Sequence, residues 1–224
     1  MTNHRLKLIT TEDGSHSLLR EDLNETYHSF HGARSESAYV FIEQCLRYYA
    51  EQTKKGRIRI FEVGFGTGLN AFLAAAFAEE NKVALEFHSV EPFPVVREIF
   101  EQLNFGQTPE EQQLLGALHE SPWESAQSIT SHFSLVKYET TLEDFSAASD
   151  FDMIFFDAFA PSKQAEVWEL ANLKKCFDLL KPGGIITTYC AQGQFKRNLA
   201  AAGFEVQTLK GAMGKKEMVR GVRN

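Results

Sequence analysis

Cysteine is scarce in this chain, long apolar runs are missing, and basic charge is in deficit. Cys45, Cys176 and Cys190 are odd in number, widely spaced and without a C-x-x-C pair, so they read as buried reduced thiols. The histidines show no H-E-x-x-H or comparable spacing, and His28 with His31 is too isolated a pair for a metal site, so no metal is expected. The longest apolar run, Ala71 to Ala78, is far shorter than a membrane span. The opening Met1-Thr2-Asn3-His4-Arg5 leads into polar sequence rather than an apolar signal segment, so a cytoplasmic protein without membrane association is expected. The net charge of -7 argues at first against a nucleic-acid partner. Its distribution softens that: Lys196, Arg197, Lys210, Lys215, Lys216, Arg220 and Arg223 face only Glu205 and Glu217 at the end of the chain. A local phosphate-binding face and a merely solvated basic edge both fit this asymmetry.

What is present suits one large α/β unit. The 224 residues can bury a full core, and 43% hydrophobic with 24% charged residues is ordinary for a globular chain. Leu6-Lys7-Leu8-Ile9-Thr10 and Ser17-Leu18-Leu19 flank Glu12-Asp13-Gly14-Ser15, the pattern of a β-hairpin. Residues 36–52 carry Tyr39, Ile42, Cys45, Leu46 and Tyr49 at helical spacing, so residues 1–56 form a hairpin and helical cap before a domain over 57–224. From Arg57 strands alternate with helices: 57–61, 87–90, 133–138, 153–156 and 185–190 are strands, with helices near 71–78, 110–119 and 194–202. Lys181-Pro182-Gly183-Gly184 closes the helix before the fifth of these strands. The segments 204–209 and 217–222 form an antiparallel pair at the end of a doubly wound, mostly parallel sheet.

Chemistry concentrates at the ends of these strands. Gly64, Gly66 and Gly68 join the first core strand to a helix, where absent Cβ atoms and access to positive φ let the backbone approach a ligand. Gly68-Leu69-Asn70 lacks the Lys-Ser/Thr of a phosphate loop, and Leu69 stands where a dinucleotide motif wants its third glycine. Glu62, Gly64, Gly66 and Gly68 instead follow E-x-G-x-G-x-G, the pattern of class I methyltransferases that use S-adenosylmethionine; Phe65, Thr67 and Asn70 complete the loop. A glycine-rich turn without a ligand is the bland alternative. Glu91 ends the second strand, where a carboxylate can accept from both ribose hydroxyls or simply terminate the strand before Pro92. Asp157 emerges from the apolar Ile154-Phe155-Phe156; the following Ala158-Phe159-Ala160-Pro161 does not begin a helix, which favours a pocket role over capping. Phe159 can stack on a planar substrate or pack in the core, and Trp168 reads as core.

Together, Phe61 to Asn70, Ser89-Val90-Glu91-Pro92-Phe93-Pro94, Asp157 through Trp168 and Gly211 to Met218 resemble the MnmC-type methyltransferases, over nearly the whole chain. The resemblance implies a class I fold, a Rossmann-like doubly wound sheet with an antiparallel C-terminal strand and an N-terminal cap. It also implies methylation of the primary amine of 5-aminomethyl(-2-thio)uridine at the wobble position of tRNA, by in-line displacement from S-adenosylmethionine. The family's Gly-Asp pair is replaced near Thr140-Thr141 while Asp144 is retained, so Thr141 and Asp144 are the residues left for the adenine end of the cofactor. Ala165 stands where the family commonly has proline. With no flavin-dependent oxidase half, the chain resembles the stand-alone form, whose aminomethyl substrate comes from other enzymes or a separate oxidase. Asp157 would be the catalytic residue, aiming the amine lone pair rather than acting as a strong base. Phe159 and Pro161 would meet the base, Tyr27 and His28 would form a lid, and Lys163, Lys196, Arg197, Lys215 and Lys216 would contact phosphates near the anticodon. Competing readings are a small-molecule amine N-methyltransferase, a nicotinamide-dependent oxidoreductase and a non-catalytic cofactor- or tRNA-binding module.

Overall fold

A computed structural model describes residues 6–146 and 150–224; the opening Met1–Arg5 lies outside them. Strands β1 (Leu6–Thr10) and β2 (His16–Arg20) form the expected antiparallel hairpin, and Gly14 at φ 82 makes its turn. A two-residue strand β3 (Glu25–Thr26) adds to it within a segment that has no sequence period. Helix α1 (Ala33–Ser37) runs without a break into π-helical turns over Ala38–Arg47 and then α2 (Tyr48–Thr53). Along this continuous helical run Ser37, Phe41, Cys45 and Tyr49, four residues apart on one face, are all buried.

The core follows: β4 (Arg57–Val63), α3 (Leu69–Asn81), β5 (Ala84–Val90), α4 (Arg97–Phe100), α5 (Pro109–Glu120), β6 (Gln127–Ser128), β7 (Phe133–Tyr138), β8 (Phe151–Phe156), α6 (Leu170–Leu179), β9 (Leu180–Thr188), α7 (Gly193–Ala201), β10 (Glu205–Lys210) and β11 (Glu217–Val222). Helix α5 begins on a full capping box between Thr108 and Glu111 with Pro109 in its first turn, which sets its start in a long connection. The sheet order is β10-β11-β9-β8-β4-β5-β7-β6. Strands β4, β5, β7, β8 and β9 are parallel, while β11 runs antiparallel to both β9 and β10, as expected. Buried on both faces, β8 is apolar except for Asp152, which neutralises itself against Lys55, Tyr49 and the Arg59 N–H. Helix α3 is apolar nearly all round because it lies between the sheet and the helical cap.

One expectation needs correction. Helix α6 ends at Leu179 and Leu180 is already extended, so Lys181-Pro182-Gly183-Gly184 does not cap it. Pairing jumps from Phe151–Leu180 to Met153–Ile185, and the four residues bulge out of β9, tied to Arg223 by two backbone bonds. Among the described residues no helix is long and apolar enough to cross a membrane.

Strand order reverses between β5, β4 and β8, so the connections that leave the carboxyl ends of β4 and β8 part above a crevice. The glycine loop leaves β4, Glu91 follows β5, Thr141 follows β7 and Asp157 follows β8.

Candidate active site

A cavity of about 240 Å³ opens at this switch point. Gly64 and Gly66 expose their backbone to it, at φ 94 and 51. At Gly64 a Cβ would come within 2.9 Å of the Asp157 carbonyl oxygen, so only glycine lets β4 and β8 approach this closely. Phe65, Thr67, Asn70, Glu91 and Thr141 also line the cavity. Gly68, Glu62 and Asp144 do not. Gly68 turns the chain into α3, packed against Phe65 and His119. Asp144 is exposed and exchanges hydrogen bonds with Thr141, leaving Leu142 and Glu143 at the wall instead.

Glu91 is 7% exposed, and its two oxygens accept the N–H groups of Gly66 and Phe93, each at 2.9 Å. Burial raises its carboxyl above the usual range, and these two N–H donors oppose that. The acid is therefore the clamp that holds the glycine loop, with lone pairs left over for a ligand. From below, His119 donates Nε2–H to the Thr67 carbonyl at 2.9 Å. Burial holds that imidazole near pKa 4, hence neutral.

Glu62 lies behind the loop, 1% exposed, accepting from Ser89 Oγ at 2.6 Å. Burial pushes it up to about 8, against the pull of the Ser89 hydroxyl. Asn70 stands between acids: its Nδ2 donates to Asp157 Oδ2 at 2.7 Å. Asp157 is only partly screened from the cavities, yet desolvation by the surrounding protein pushes its carboxyl up to about 7, with the Asn70 hydrogen bond opposing. A carboxyl poised there changes charge around neutral pH, which suits proton transfer or the binding of a cation.

The backbone after Asp157 is pinned by side chains from afar. Tyr189 donates its hydroxyl to the Ala158 carbonyl at 2.8 Å, and Trp168 donates Nε1–H to the Phe159 carbonyl at 2.8 Å. Trp168, 4% exposed, is core as expected, and its indole also fixes the loop. Phe159 meets Tyr27 edge to face at 4.9 Å, both lining the large cavity. His28, beside them, bonds Ser17 and Thr67 and is held near pKa 4 by burial.

A second cavity, about 90 Å³, lies on the other side of Asp157, and Asp157, Tyr27 and His28 line both. Its remaining wall includes Glu25, Glu36, Tyr189 and Lys215. Here the phosphate assignments need revision. Lys215 is ion-paired with Glu36 inside this cavity, Lys163 donates to the Leu23 carbonyl at 2.9 Å and ties the cap to the Asp157 loop, and Lys196 pairs with Glu217 at 2.8 Å. Lys216 and Arg197 are exposed, and Pro161 lines neither cavity. Sequence reasoning passed over Arg20, which lines the large cavity 5.2 Å from the Phe93 ring centre and 5.8 Å from that of Phe159. No local pattern marks an arginine at the end of a hairpin strand for this place. Among the described residues no cluster of side chains is suited to a metal ion.

Known proteins share this chain's sequence pattern and fold. Residues 115–224 match a family described as S-adenosyl-L-methionine-dependent methyltransferase. The bifunctional protein MnmC of tRNA 5-methylaminomethyl-2-thiouridine biosynthesis from Ectopseudomonas mendocina is 32% identical over 97% of this chain and 35% of its own length. The protein of that name from Pseudomonas fluorescens is 29% identical over 88% of this chain and 32% of its own. The chain thus spans about a third of the length of the curated relatives it matches. The crystal structure of MNMC2 from Aquifex aeolicus superposes with a TM-score of 0.77 at 25% identity, over 98% of this chain and 71% of that one. Spermidine synthase from Thermotoga maritima, at 12% identity and a TM-score of 0.59 over 100% of this chain and 70% of its own, shares the fold. Over residues 115–224 the chain matches the S-adenosyl-L-methionine-dependent methyltransferase family, and over 97% of its length it is similar to an MnmC-named protein.

Proposed function

We propose that the protein methylates the primary amine of 5-aminomethyl(-2-thio)uridine at the tRNA wobble position. The observation that carries this reading is the wall shared by the two cavities: Asp157, Tyr27 and His28 face the large cavity on one side and the acidic, aromatic one on the other. Donor and amine can then meet beside one carboxylate, where the two cavities adjoin. The names of the relatives, all concerned with tRNA 5-methylaminomethyl-2-thiouridine, supply the substrate class.

The large cavity fits the methyl donor: a glycine floor without Cβ atoms, a buried carboxylate for ribose hydroxyls, and Thr141 with Leu142 at the far wall. When bound, S-adenosyl-L-methionine supplies an electrophilic methyl carbon to a neutral amine lone pair. An alkylamine with a pKa of ~10.4 costs about 4–5 kcal/mol to deprotonate at neutral pH. Asp157 contributes on both sides of that cost. As a carboxylate it attracts the ammonium, accepts an N–H bond that orients the lone pair, and stabilises the positive charge that grows on nitrogen. With its own pKa near 7, it is also basic enough to receive a proton transiently. Asn70 holds one oxygen of Asp157, leaving the other for the amine. The cap acts with the sheet domain as one unit, because Tyr27 and His28 wall both cavities. Exposed Lys216 and Arg197 would contact phosphates, and action on tRNA would place the protein in the cytoplasm. Chemistry that builds the aminomethyl arm must act beforehand.

The test is transfer of labelled methyl to undermodified tRNA in vitro, with nucleoside analysis by mass spectrometry. Conversion of the aminomethyl nucleoside to its methylaminomethyl form is expected. Methylation of free amines alone would overturn the tRNA reading.

A further inference from the structure

The second cavity holds a cation of the protein's own. Lys215 reaches into it from the turn between β10 and β11, pairs with Glu36, and places Nζ 4.9 Å from the centre of the Tyr189 ring. Glu36 is a fixed wall: its carboxylate is 9% exposed and its other oxygen accepts the Ser29 N–H at 3.2 Å. Tyr189 is fixed too, through its hydroxyl on Ala158. The lysine differs from both. Its side chain is 37% exposed, on a flexible four-carbon stem, in a turn whose Met213 and Gly214 are exposed at positive φ. Carboxylates and a ring face around an alkylammonium make a cation cage, and three acids, Glu25, Glu36 and Asp157, line the same small cavity as this lysine.

We propose that the second cavity is the subsite for a primary alkylammonium, and that Lys215 is its resident occupant, which the substrate's aminomethyl arm replaces. The inference rests on the amine-methylation reading and deepens it. An aminomethyl group brings the same charge and the same hydrogen-bond donors as the lysine head, so exchange conserves the charge balance of a mostly buried site. It also delivers the nitrogen to Asp157, which lines this cavity. Released, Lys215 joins Lys216 on the surface, so filling the subsite adds a cation to the face available for phosphate. A hydroxymethyl arm cannot drive the exchange, because it offers Glu36 no charge. The cage therefore selects the amine over its oxygen analogue.

The test is calorimetric binding of 5-aminomethyluridine, 5-hydroxymethyluridine and n-butylammonium to the protein saturated with S-adenosylhomocysteine. Lys215→Met and Lys215→Gln remove the competitor, the second keeping a hydrogen-bond donor for Glu36; thermal melting of each confirms that it is folded. Both variants should bind the two amines about tenfold more tightly than the parent protein and bind the hydroxymethyl nucleoside unchanged. Glu36→Gln should weaken amine binding by a similar factor. Equal or weaker amine binding in both Lys215 variants overturns the proposal, whether or not the parent protein methylates tRNA. If butylammonium follows the expected order while tRNA is not methylated, the cage stands and the tRNA reading falls.

Discussion

Replacing Asp157 by asparagine tests the electrostatics of the site without altering its shape. Asparagine keeps an acceptor oxygen for Asn70 Nδ2, now 2.7 Å from the carboxylate, and removes only the charge. The fold raises the Asp157 carboxyl from 3.8 to about 7, mainly through desolvation. The folded protein therefore retains a proton that the unfolded chain has lost, and its stability falls as pH rises from about 4 to about 7. Above that window the loss is complete and constant. At 1.36 kcal/mol per unit the ceiling is about 4 kcal/mol. Half of that would move the midpoint by roughly 4–8 °C in a chain of this size. We predict that cofactor-free Asp157→Asn and the parent protein melt together near pH 3.5. The variant should become progressively more stable than the parent toward pH 7.5, while losing methyl transfer by roughly 10²–10³-fold. Scanning calorimetry at half-unit pH steps reads the difference. A gap that does not change with pH, or one that favours the parent protein at pH 7.5, refutes the argument that ionised Asp157 is held against its own desolvation.

Glu91→Gln leaves one acceptor oxygen where two backbone N–H groups now bond, so the glycine loop loosens and the charged acceptor for ribose is gone. A loss of about 1.5–3 kcal/mol, roughly ten- to a hundredfold in Kd for S-adenosylhomocysteine, is expected by calorimetry, and unchanged affinity would remove Glu91 from the cofactor grip. Gly64→Ala forces φ 94 on an L-residue and drives a methyl into the Asp157 carbonyl at 2.9 Å, so we expect about 1–3 kcal/mol of destabilisation in denaturant titration together with lost turnover. Wild-type turnover in that variant would show that Asp157 is not held by this contact. Lys216→Glu should weaken tRNA binding and lower its salt-dependence slope by about 1; equal slopes would exclude Lys216 from phosphate contact.

These residues differ in how far each was legible beforehand. Strand and helix order from Arg57 onward was readable because short apolar runs such as Ile154–Phe156 alternate with helix-forming stretches such as Ala71–Ala78. The loop from Glu62 to Asn70 was readable because its function requires consecutive residues: glycines at fixed spacing between a strand and a helix. The winding of Ala38–Arg47 was not, since apolar residues three and four apart fit α and π turns alike. The bulge at Lys181–Gly184 was also hidden, because proline and glycine mark a break without saying whether a helix end or a strand irregularity causes it.

The cation cage is the extreme case. Glu25 and Glu36 come from the cap, Asp157 from just after β8, Tyr189 from just after β9 and Lys215 from the last turn, so no window of sequence contains it. Charge counting placed Lys215 with Lys216 on a basic edge, which is right for one neighbour and wrong for the other: β10 and β11 are in register, and their turn folds Lys215 inward to Glu36 while Lys216 stays exposed. Adjacent lysines thus differ in electrostatic role by the side of a turn each occupies. An enzyme that draws an ammonium onto an acid and then requires it neutral gains from a cage whose resident cation leaves: binding uses the full charge of Glu36 and Asp157. As the arm enters, Asp157 trades the lysine's charge for that of the amine it must orient.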